Sequence, residues 1–308
     1  MEIALQFVLL ALGFVMLGKG ADWFVEGAAG IAMRFGIPQL VIGLTIVAMG
    51  TSAPEAAVSI AAAVKGNADI TIGNIVGSNI LNILVILGLA ASIVPIAVAR
   101  STVRIEIPFM IAVTALLFYQ GRDGSISLAD GGVLMVAFAA YMMYLYTMAM
   151  KSNVDSDLEE PGLPLGRCLL GAVGGLALII AGSNVTVGAA TSIATYAGLS
   201  ERFIGLTIVA LGTSLPELFT SVAAARRGNA DIAIGNIVGS NIFNILFVVG
   251  LSSLIIDIPF ASAFNFDTYV ALGAAVLLWL CVLRNQRLQR WAGALMLVCY
   301  AAYLGYVL

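Results

Sequence analysis

The chain has 308 residues, of which 61% are hydrophobic and only 10% charged, and its net charge is −3. A soluble protein carries about 25% charged residues, so this chain lacks the polar surface that a water-soluble domain needs. The composition therefore excludes a soluble enzyme, a nucleic-acid-binding protein and a disordered chain. A polytopic membrane protein remains, and 33 glycines suit closely packed membrane helices.

Residues for metal or redox chemistry are scarce. Histidine is absent, and Cys168, Cys281 and Cys299 lie far apart on apolar stretches without metal-ligand spacing. We therefore expect no zinc site and no disulfide framework, and we interpret the cysteines as packing residues. The chain opens without the basic segment of a cleaved signal peptide, so its first apolar stretch is expected to remain as a membrane helix.

Apolar runs of about 20 residues, the length that crosses a hydrocarbon core of roughly 30 Å, predict ten membrane-spanning helices. Their expected limits, in chain order, are 3–32, 39–64, 70–93, 103–119, 128–149, 166–195, 203–225, 232–255, 268–284 and 291–307. Strict alternation of polar and apolar residues is missing, which argues against a β-barrel. The hydrophilic stretch 151–165 separates five spans from five, so we expect a first five-helix repeat over 1–150, a linker over 151–165 and a second repeat over 166–308.

Positive residues are unevenly distributed over the loops. Ten Lys and Arg residues fall on the loops of one side and three on the loops of the other, which is a strong positive-inside bias. We therefore expect a multi-pass protein of the plasma or inner membrane. Both termini are expected outside the cell, and the central linker is expected in the cytoplasm.

The two halves contain the same 50-residue segment. Residues 41–90 and 203–252 align without a gap at an offset of 162 and are identical at 35 of 50 positions. Five spans in each half make the second half enter the membrane from the opposite side, as in the inverted repeats of secondary transporters, whose substrate sites lie near the midplane. The predicted fold class is an all-α polytopic membrane protein of ten helices in two inverted five-helix repeats.

Each copy of the segment carries the motif Gly-Thr-Ser-x-Pro-Glu, which ends at Glu55 in the first half and Glu217 in the second. Glu55 lies ten residues before Lys65, about 15 Å along a helix, and Glu217 lies nine before Arg226. Both carboxylates are therefore expected near the bilayer centre, where ionisable residues are costly and indicate function.

The residues around each glutamate add oxygen atoms. The motif proline lacks an N–H and is expected to free a carbonyl about one turn earlier, near Gly50 in the first half and Gly212 in the second, with Ala48 and Ala210 just before them as candidate ligands. A threonine four residues before each glutamate is expected to share its helix face. The following span of each half places a serine and an asparagine four residues apart. Such an oxygen set, with no soft ligand, suits a hard cation such as Ca²⁺.

This pattern resembles the α-repeats of the calcium/cation antiporter superfamily, in particular the sodium/calcium exchangers of prokaryotic type. The resemblance covers both duplicated segments, and it implies a secondary antiporter that needs no cofactor, is not an enzyme and transports Ca²⁺ and Na⁺. It also implies a metal site with ligands from both halves. These ligands are Glu55, Glu217, Thr51, Thr213, Ser52, Ser214, Ser78, Ser240, Asn82, Asn244 and the carbonyls of Ala48 and Ala210.

One departure from the family pattern bears on the ions. Family members often carry Asp where this chain has Asn82 or Asn244, including members that also move potassium. Two glutamates alone give a formal site charge of −2, which one Ca²⁺ neutralises and two to three Na⁺ could replace. Potassium dependence and the Na⁺:Ca²⁺ stoichiometry therefore stay open.

Other interpretations also stay open on the sequence alone. A proton/calcium antiporter would protonate the same two glutamates in place of binding Na⁺. An intramembrane enzyme could use the carboxylate pair as acid and base, but no nucleophile triad or cofactor motif accompanies the pair. A channel could use the same site at a far higher flux. The expected partners are the two ions and the bilayer, without nucleic acid, and the oligomeric state, a monomer or larger, is not determined.

The polar residues also have structural interpretations. The serines and asparagines of the third and eighth spans could join helices by hydrogen bonds, and the motif hydroxyls could bond back to their own helix. Lys19, Asp22 and Glu26 lie along one side of the first span, where local pairing is expected.

Overall fold

Helices make up almost all of the structure. The computed structural model describes residues 2–66, 68–152, 163–198 and 210–307. Its helical segments are α1 (Glu2–Phe35), α2a (Gln39–Thr51), α2b (Ala53–Val64), α3 (Ile70–Ile93), α4 (Thr102–Asp123), α5 (Leu128–Ser152), α6 (Leu165–Tyr196), α7a (Ala210–Thr213), α7b (Leu215–Arg226), α8 (Ala230–Ile255), α9 (Phe264–Leu283) and α10 (Arg290–Val307). Within the described ranges, seven helices are long and apolar enough to cross a membrane, and the bent pair α2a and α2b makes an eighth. The chain is therefore a helical multi-pass membrane protein.

The helix limits agree with the spans predicted from the sequence. Wherever the structure describes an end, that end lies within about one helical turn of the predicted position. Most of the predicted linker over 151–165 and the start of the predicted span 203–225 lie outside the described residues. Hydropathy locates these helices well because the bilayer core requires a long, continuous apolar segment.

The second span is broken, which corrects the expectation of one continuous helix over 39–64. Helices α2a and α2b meet at a bend of 51°, where Ser52 leaves helical geometry with φ −81° and ψ 6°. Pro54 in the first turn of α2b explains the break, because proline has no N–H to donate and crowds the preceding turn. Ser214 (φ −90°, ψ 4°) and Pro216 repeat this arrangement between α7a and α7b.

Short π-helical segments interrupt α3 and α8 at equivalent points, Asn82–Leu87 and Asn244–Val249. Their first residues differ by 162, the offset of the sequence repeat. Segments of this kind are rare and frequently lie at functional sites. Asn82 and Asn244 are each only 1% exposed, so both segments begin inside the protein.

Two short antiparallel ladders join loops of the two halves. Strand β1 (Ile96–Ala97) pairs with β4 (Arg287–Leu288), and β2 (Ser125–Ile126) pairs with β3 (Ile258–Pro259). Strand β3 is β1 shifted by 162 residues, and β4 is β2 shifted by the same offset. The second ladder is therefore the first with the halves exchanged, and each ladder brings its two loops to the same end of the helices.

The long helices α1 and α6 pack against each other through glycines. A Cβ atom added to Gly20 would lie 2.8 Å from the Gly175 carbonyl oxygen, and one added to Gly175 would lie 2.7 Å from the Gly20 carbonyl oxygen. Gly13 and Gly182 repeat this reciprocal contact at 3.1 Å in both directions. Small residues let helix backbones approach closely in membranes, so α1 and α6 form a tightly packed pair.

Candidate cation site

Glu55 and Glu217 are buried, and each accepts a hydrogen bond from the other half. Each glutamate is 1% exposed and lies in the first turn of the helix that follows a break. Ser214 donates to Glu55 Oε1 at 3.4 Å, and Ser52 donates to Glu217 Oε1 at 2.8 Å. The serine at each break therefore contacts the carboxylate of the opposite half, and the helix N-terminus adds a favourable field for the negative charge.

The second oxygen of each carboxylate has no hydrogen-bond partner among the described residues. Glu55 Oε2 and Glu217 Oε2 are both buried there, and the two carboxylates lie close enough to repel each other. Arg227 makes the only ion pairs found among the described residues, and neither involves these glutamates. Uncompensated buried charge is costly, so a positive charge beside the two carboxylates would lower that cost.

Four asparagines join α3 to α8. Asn79 Nδ2 donates to the Asn241 carbonyl oxygen and Asn241 Nδ2 donates to the Asn79 carbonyl oxygen, both at 3.2 Å. Asn82 Nδ2 donates to Asn241 Oδ1 at 2.9 Å, and Asn244 Nδ2 donates to Asn79 Oδ1 at 3.1 Å. Asn82 Oδ1 and Asn244 Oδ1 are buried and have no partner in the described part of the chain. The network thus holds two amides in place and leaves their oxygens available as ligands.

These amide oxygens belong to segments that contact the glutamate helices. The π segment that begins at Asn82 packs against α7b, and the π segment that begins at Asn244 packs against α2b. The described residues contain no group of three or more His, Cys, Asp or Glu that could hold a metal. A cation bound by the two carboxylates would therefore depend on amide and hydroxyl oxygens as well, which hard cations accept.

The threonines lie beside the carboxylates of the opposite half. The buried Thr51 hydroxyl lies 3.0 Å from Asn236 Oδ1 and also bonds back to its own helix. Thr51 interacts with Glu217, and Thr213 interacts with Glu55. The bend between α2a and α2b lies between Thr51 and Glu55, and the shared helix face expected for the two stays a prediction.

The remaining predicted ligands have mixed environments. The Ala48 carbonyl oxygen accepts the Ser52 N–H at 3.0 Å and the Ser240 hydroxyl at 3.3 Å, so this predicted ligand already has two hydrogen-bond partners. Ser78 is 3% exposed and has no hydrogen-bond partner among the described residues. Ala210 opens α7a, and the residues before it lie outside the described ranges.

Sequence reasoning missed the hydrogen bonds that hold the glutamate helices in place. Asn74 Nδ2 donates to Ser59 Oγ and Asn236 Nδ2 donates to Ser221 Oγ, both at 2.9 Å. The first bond joins α3 to α2b, and the second joins α8 to α7b. All four residues recur at the offset of 162, so their duplication as polar residues on apolar spans was the available signal.

Comparisons with known proteins agree with this architecture. A family model described as sodium/calcium exchanger protein matches residues 5–147 and 168–308. The putative antiporter CaxA of Alkalimonas amylolytica is 40% identical over 98% of this chain and 98% of its own length. The inner membrane protein YrbG of Escherichia coli (strain K12) is 40% identical over 80% of this chain and 79% of its own length.

A solved structure has the same fold. The sodium-calcium exchanger NCX_Mj, soaked with zero Na⁺ and Ca²⁺, superposes with a TM-score of 0.87 and 33% sequence identity, over 99% of this chain and 100% of that chain. The family model spans most of both halves, including the broken helices and the asparagine network. The chain therefore belongs to the sodium/calcium exchanger family of membrane antiporters.

Proposed function

We propose that this protein is a secondary active antiporter that exchanges Ca²⁺ for Na⁺ at a midplane site between two inverted halves. The observation that carries the proposal is the pair of buried carboxylates, Glu55 and Glu217, each with one oxygen that no described residue bonds. Family membership and the likeness to a sodium-calcium exchanger structure support the choice of ions.

The proposed ligands come from both halves. The main ligands are the carboxylates of Glu55 and Glu217 and the amide oxygens of Asn82 and Asn244, because each of these four groups has an oxygen without a hydrogen bond from the described residues. Hydroxyl and carbonyl oxygens complete the calcium and sodium sites. They belong to Thr51, Thr213, Ser52, Ser214, Ser78, Ser240, Ala48 and Ala210.

The charge of the site couples the two ions. Two carboxylates carry a formal charge of −2, which one Ca²⁺ cancels and two to three Na⁺ can replace. An empty site keeps two uncompensated charges in a low-dielectric environment, so the empty carrier changes its side of access slowly. The loaded carrier avoids this cost. A bound ion that interacts more favourably with the closed conformation shifts the carrier towards that conformation. Exchange rather than leak is the expected outcome.

Two inverted five-helix halves, 1–150 and 166–308, provide the movement. The ladders and the serine–glutamate bonds, which recur with the halves exchanged, support this ten-span arrangement. The α1–α6 pair is proposed to slide over the other helices and to open the site alternately to each side.

The orientation follows from the charges of the loops that the ladders join. The loops of β1 and β4 lie at one end, and they carry Arg100, Arg284 and Arg287, whereas the loop of β2 carries Arg122. By the positive-inside rule the β1–β4 end is cytoplasmic. Both termini then face outward, and the linker over 151–165 is cytoplasmic, in the plasma or inner membrane.

The proposal is tested by counterflow in proteoliposomes. An outward Na⁺ gradient is expected to drive uptake of ⁴⁵Ca²⁺, and uptake should stop when the gradient collapses. Uptake that ignores Na⁺ but follows a pH gradient would identify the protein as a proton/calcium antiporter instead. A flux far above carrier turnover would identify a channel.

The site assignment is tested by neutralising each glutamate. Glu55→Gln and Glu217→Gln are each expected to abolish exchange, because one remaining carboxylate cannot balance Ca²⁺. Asp123→Asn, at an exposed loop acid, is the control and should keep the wild-type rate. Wild-type flux in either glutamine variant would refute the assignment.

A further inference from the structure

Glu106 is a third buried carboxylate, and the proposed transport site does not use it. It lies near the start of α4 and is 0% exposed. Tyr144 of α5 donates a hydrogen bond to Glu106 Oε1, while Oε2 is buried without a partner. The ion pairs of the described residues do not include Glu106, so no basic side chain compensates this carboxylate there.

Two further buried oxygen atoms lie near Glu106. Thr102 Oγ1 and the Tyr141 hydroxyl are buried and have no hydrogen-bond partner among the described residues. Thr102 lies about one turn before Glu106 in the same helical segment, and Tyr141 lies about one turn before Tyr144, which donates to Glu106. The Tyr141 ring also stacks on Phe109 of α4, with ring centroids 5.3 Å apart. The carboxylate and the two hydroxyls therefore belong to the same contact between α4 and α5.

We propose that Glu106, Thr102 and Tyr141 form a binding site for one monovalent alkali cation such as Na⁺. A single carboxylate is neutralised by one monovalent charge, whereas a divalent ion would leave a net positive charge in apolar surroundings. The ligands are all oxygens, which hard cations prefer. A proton on Oε2 can pair with only one of the two hydroxyl oxygens, whereas a cation can contact all three atoms at once.

The cluster is present in one half only, which separates it from the transport site. The position equivalent to Glu106 at the offset of 162 is Thr268, and the position equivalent to Thr102 is Phe264. Thr268 donates to the Phe264 carbonyl oxygen at 2.7 Å and so bonds back to its own helix. The second half therefore has no carboxylate at the position of Glu106. Its Tyr303, which is equivalent to Tyr141, donates to the half-buried Asp267 at 2.9 Å and so is paired, and one ion per chain is expected.

A tryptophan contacts the same segment and supplies a readout. Trp279 Nε1 of α9 donates to the Val103 carbonyl oxygen at 2.8 Å, and Val103 lies in the π segment Thr102–Glu106. An ion that pulls Thr102 and Glu106 together changes this segment and the environment of the indole. Trp23 and Trp291 can be replaced by Phe to leave Trp279 as the single fluorophore.

The experiment removes the transport site first, so that its result does not depend on the proposed exchange activity. In the full-length Glu55→Gln/Glu217→Gln protein, equilibrium binding of ²²Na⁺ at pH 8 is expected to show one saturable ion per chain. Adding Glu106→Gln should abolish that binding and the Na⁺-dependent change of Trp279 fluorescence. Thr268→Val, at the equivalent position of the second half, is the matched control and should leave both unchanged.

A milder variant keeps the test decisive if Glu106→Gln does not fold. Tyr141→Phe removes one neutral ligand and no charge, and it should weaken ²²Na⁺ binding about fivefold. The proposal is overturned if the double glutamine protein binds no ²²Na⁺, which would mean that Glu106 carries a proton. It is equally overturned if ²²Na⁺ binding persists with wild-type affinity in both Glu106→Gln and Tyr141→Phe.

Discussion

The asparagine network makes a quantitative prediction about stability. Replacing Asn241 by Ala removes two hydrogen bonds, one from its own Nδ2 to the Asn79 carbonyl and one that its Oδ1 accepts from Asn82. Interhelical hydrogen bonds in membrane proteins contribute about 0.6–1.7 kcal/mol each. The variant also leaves the buried Asn82 amide without an acceptor, which costs about 1–3 kcal/mol more. The sum is roughly 2–6 kcal/mol.

The matched variant in the other half should behave in the same way. Asn79→Ala removes the bond to the Asn241 carbonyl and leaves Asn244 Nδ2 without its acceptor. Because the two sets of bonds have nearly equal lengths, the two losses should agree within about 1 kcal/mol. In both variants the amide oxygen next to the glutamates loses its fixed position, so Ca²⁺ should stabilise the variants less than it stabilises the wild type.

The assay is thermal unfolding of the purified protein at fixed detergent and lipid, with and without Ca²⁺. A loss of this size corresponds to a fall of several degrees in Tm, at about 2–4 °C per kcal/mol for a chain of this class. Ser192→Ala is the control, since its exposed hydroxyl bonds only to its own helix. A fall of less than about 1 °C in both asparagine variants would refute the hydrogen-bond argument.

Two further predictions concern the packing of α1. Gly175→Ala should slow exchange and lower stability, because its Cβ would lie 2.5 Å from the Phe24 backbone nitrogen. Gly174→Ala, whose Cβ meets nothing within 4 Å, is the control and should change neither. Equal exchange rates in the two variants would contradict close α1–α6 packing. Arg227→Gln removes half-exposed ion pairs to Asp22 and Glu26 of α1, worth about 0.2–1 kcal/mol each. Hydrogen exchange at the α7b–α8 turn should therefore rise, and high salt should produce the same rise in the wild type; unchanged exchange would refute this role.

The membrane spans and the two buried carboxylates could be predicted from the sequence because the bilayer imposes strong local rules. A spanning helix must be apolar over its whole length, so hydropathy located α1, α3, α6 and the others within about a turn. A carboxylate inside such a span is costly, so Glu55 and Glu217 were conspicuous. Their duplication at a constant offset indicated function without any knowledge of the fold.

Contacts between the halves could not be predicted, because they depend on how distant segments pack. The sequence pairs Thr51 with Glu55 by spacing, and the structure adds an interaction of Thr51 with Glu217 of the other half. The Ala48 carbonyl was predicted to be a ligand, and the structure adds a hydrogen bond to it from Ser240 of α8. Neither result follows from helical periodicity, since both depend on the crossing of broken helices.

The charged residues of this chain also show the difference between what a sequence reveals and what only a structure reveals. The sequence by itself determined that it spans a membrane, that it contains an internal duplication and that two acids lie within apolar spans. Only the tertiary structure decided which oxygens stay unpaired. Ser52 and Ser214 each donate a hydrogen bond to one oxygen of the opposite glutamate. The amide N–H groups of Asn82 and Asn244 donate to Asn241 and Asn79, respectively. The physical reason is that buried hydrogen-bond partners come from segments far apart in the chain, so composition and spacing reveal the charge but not what compensates it.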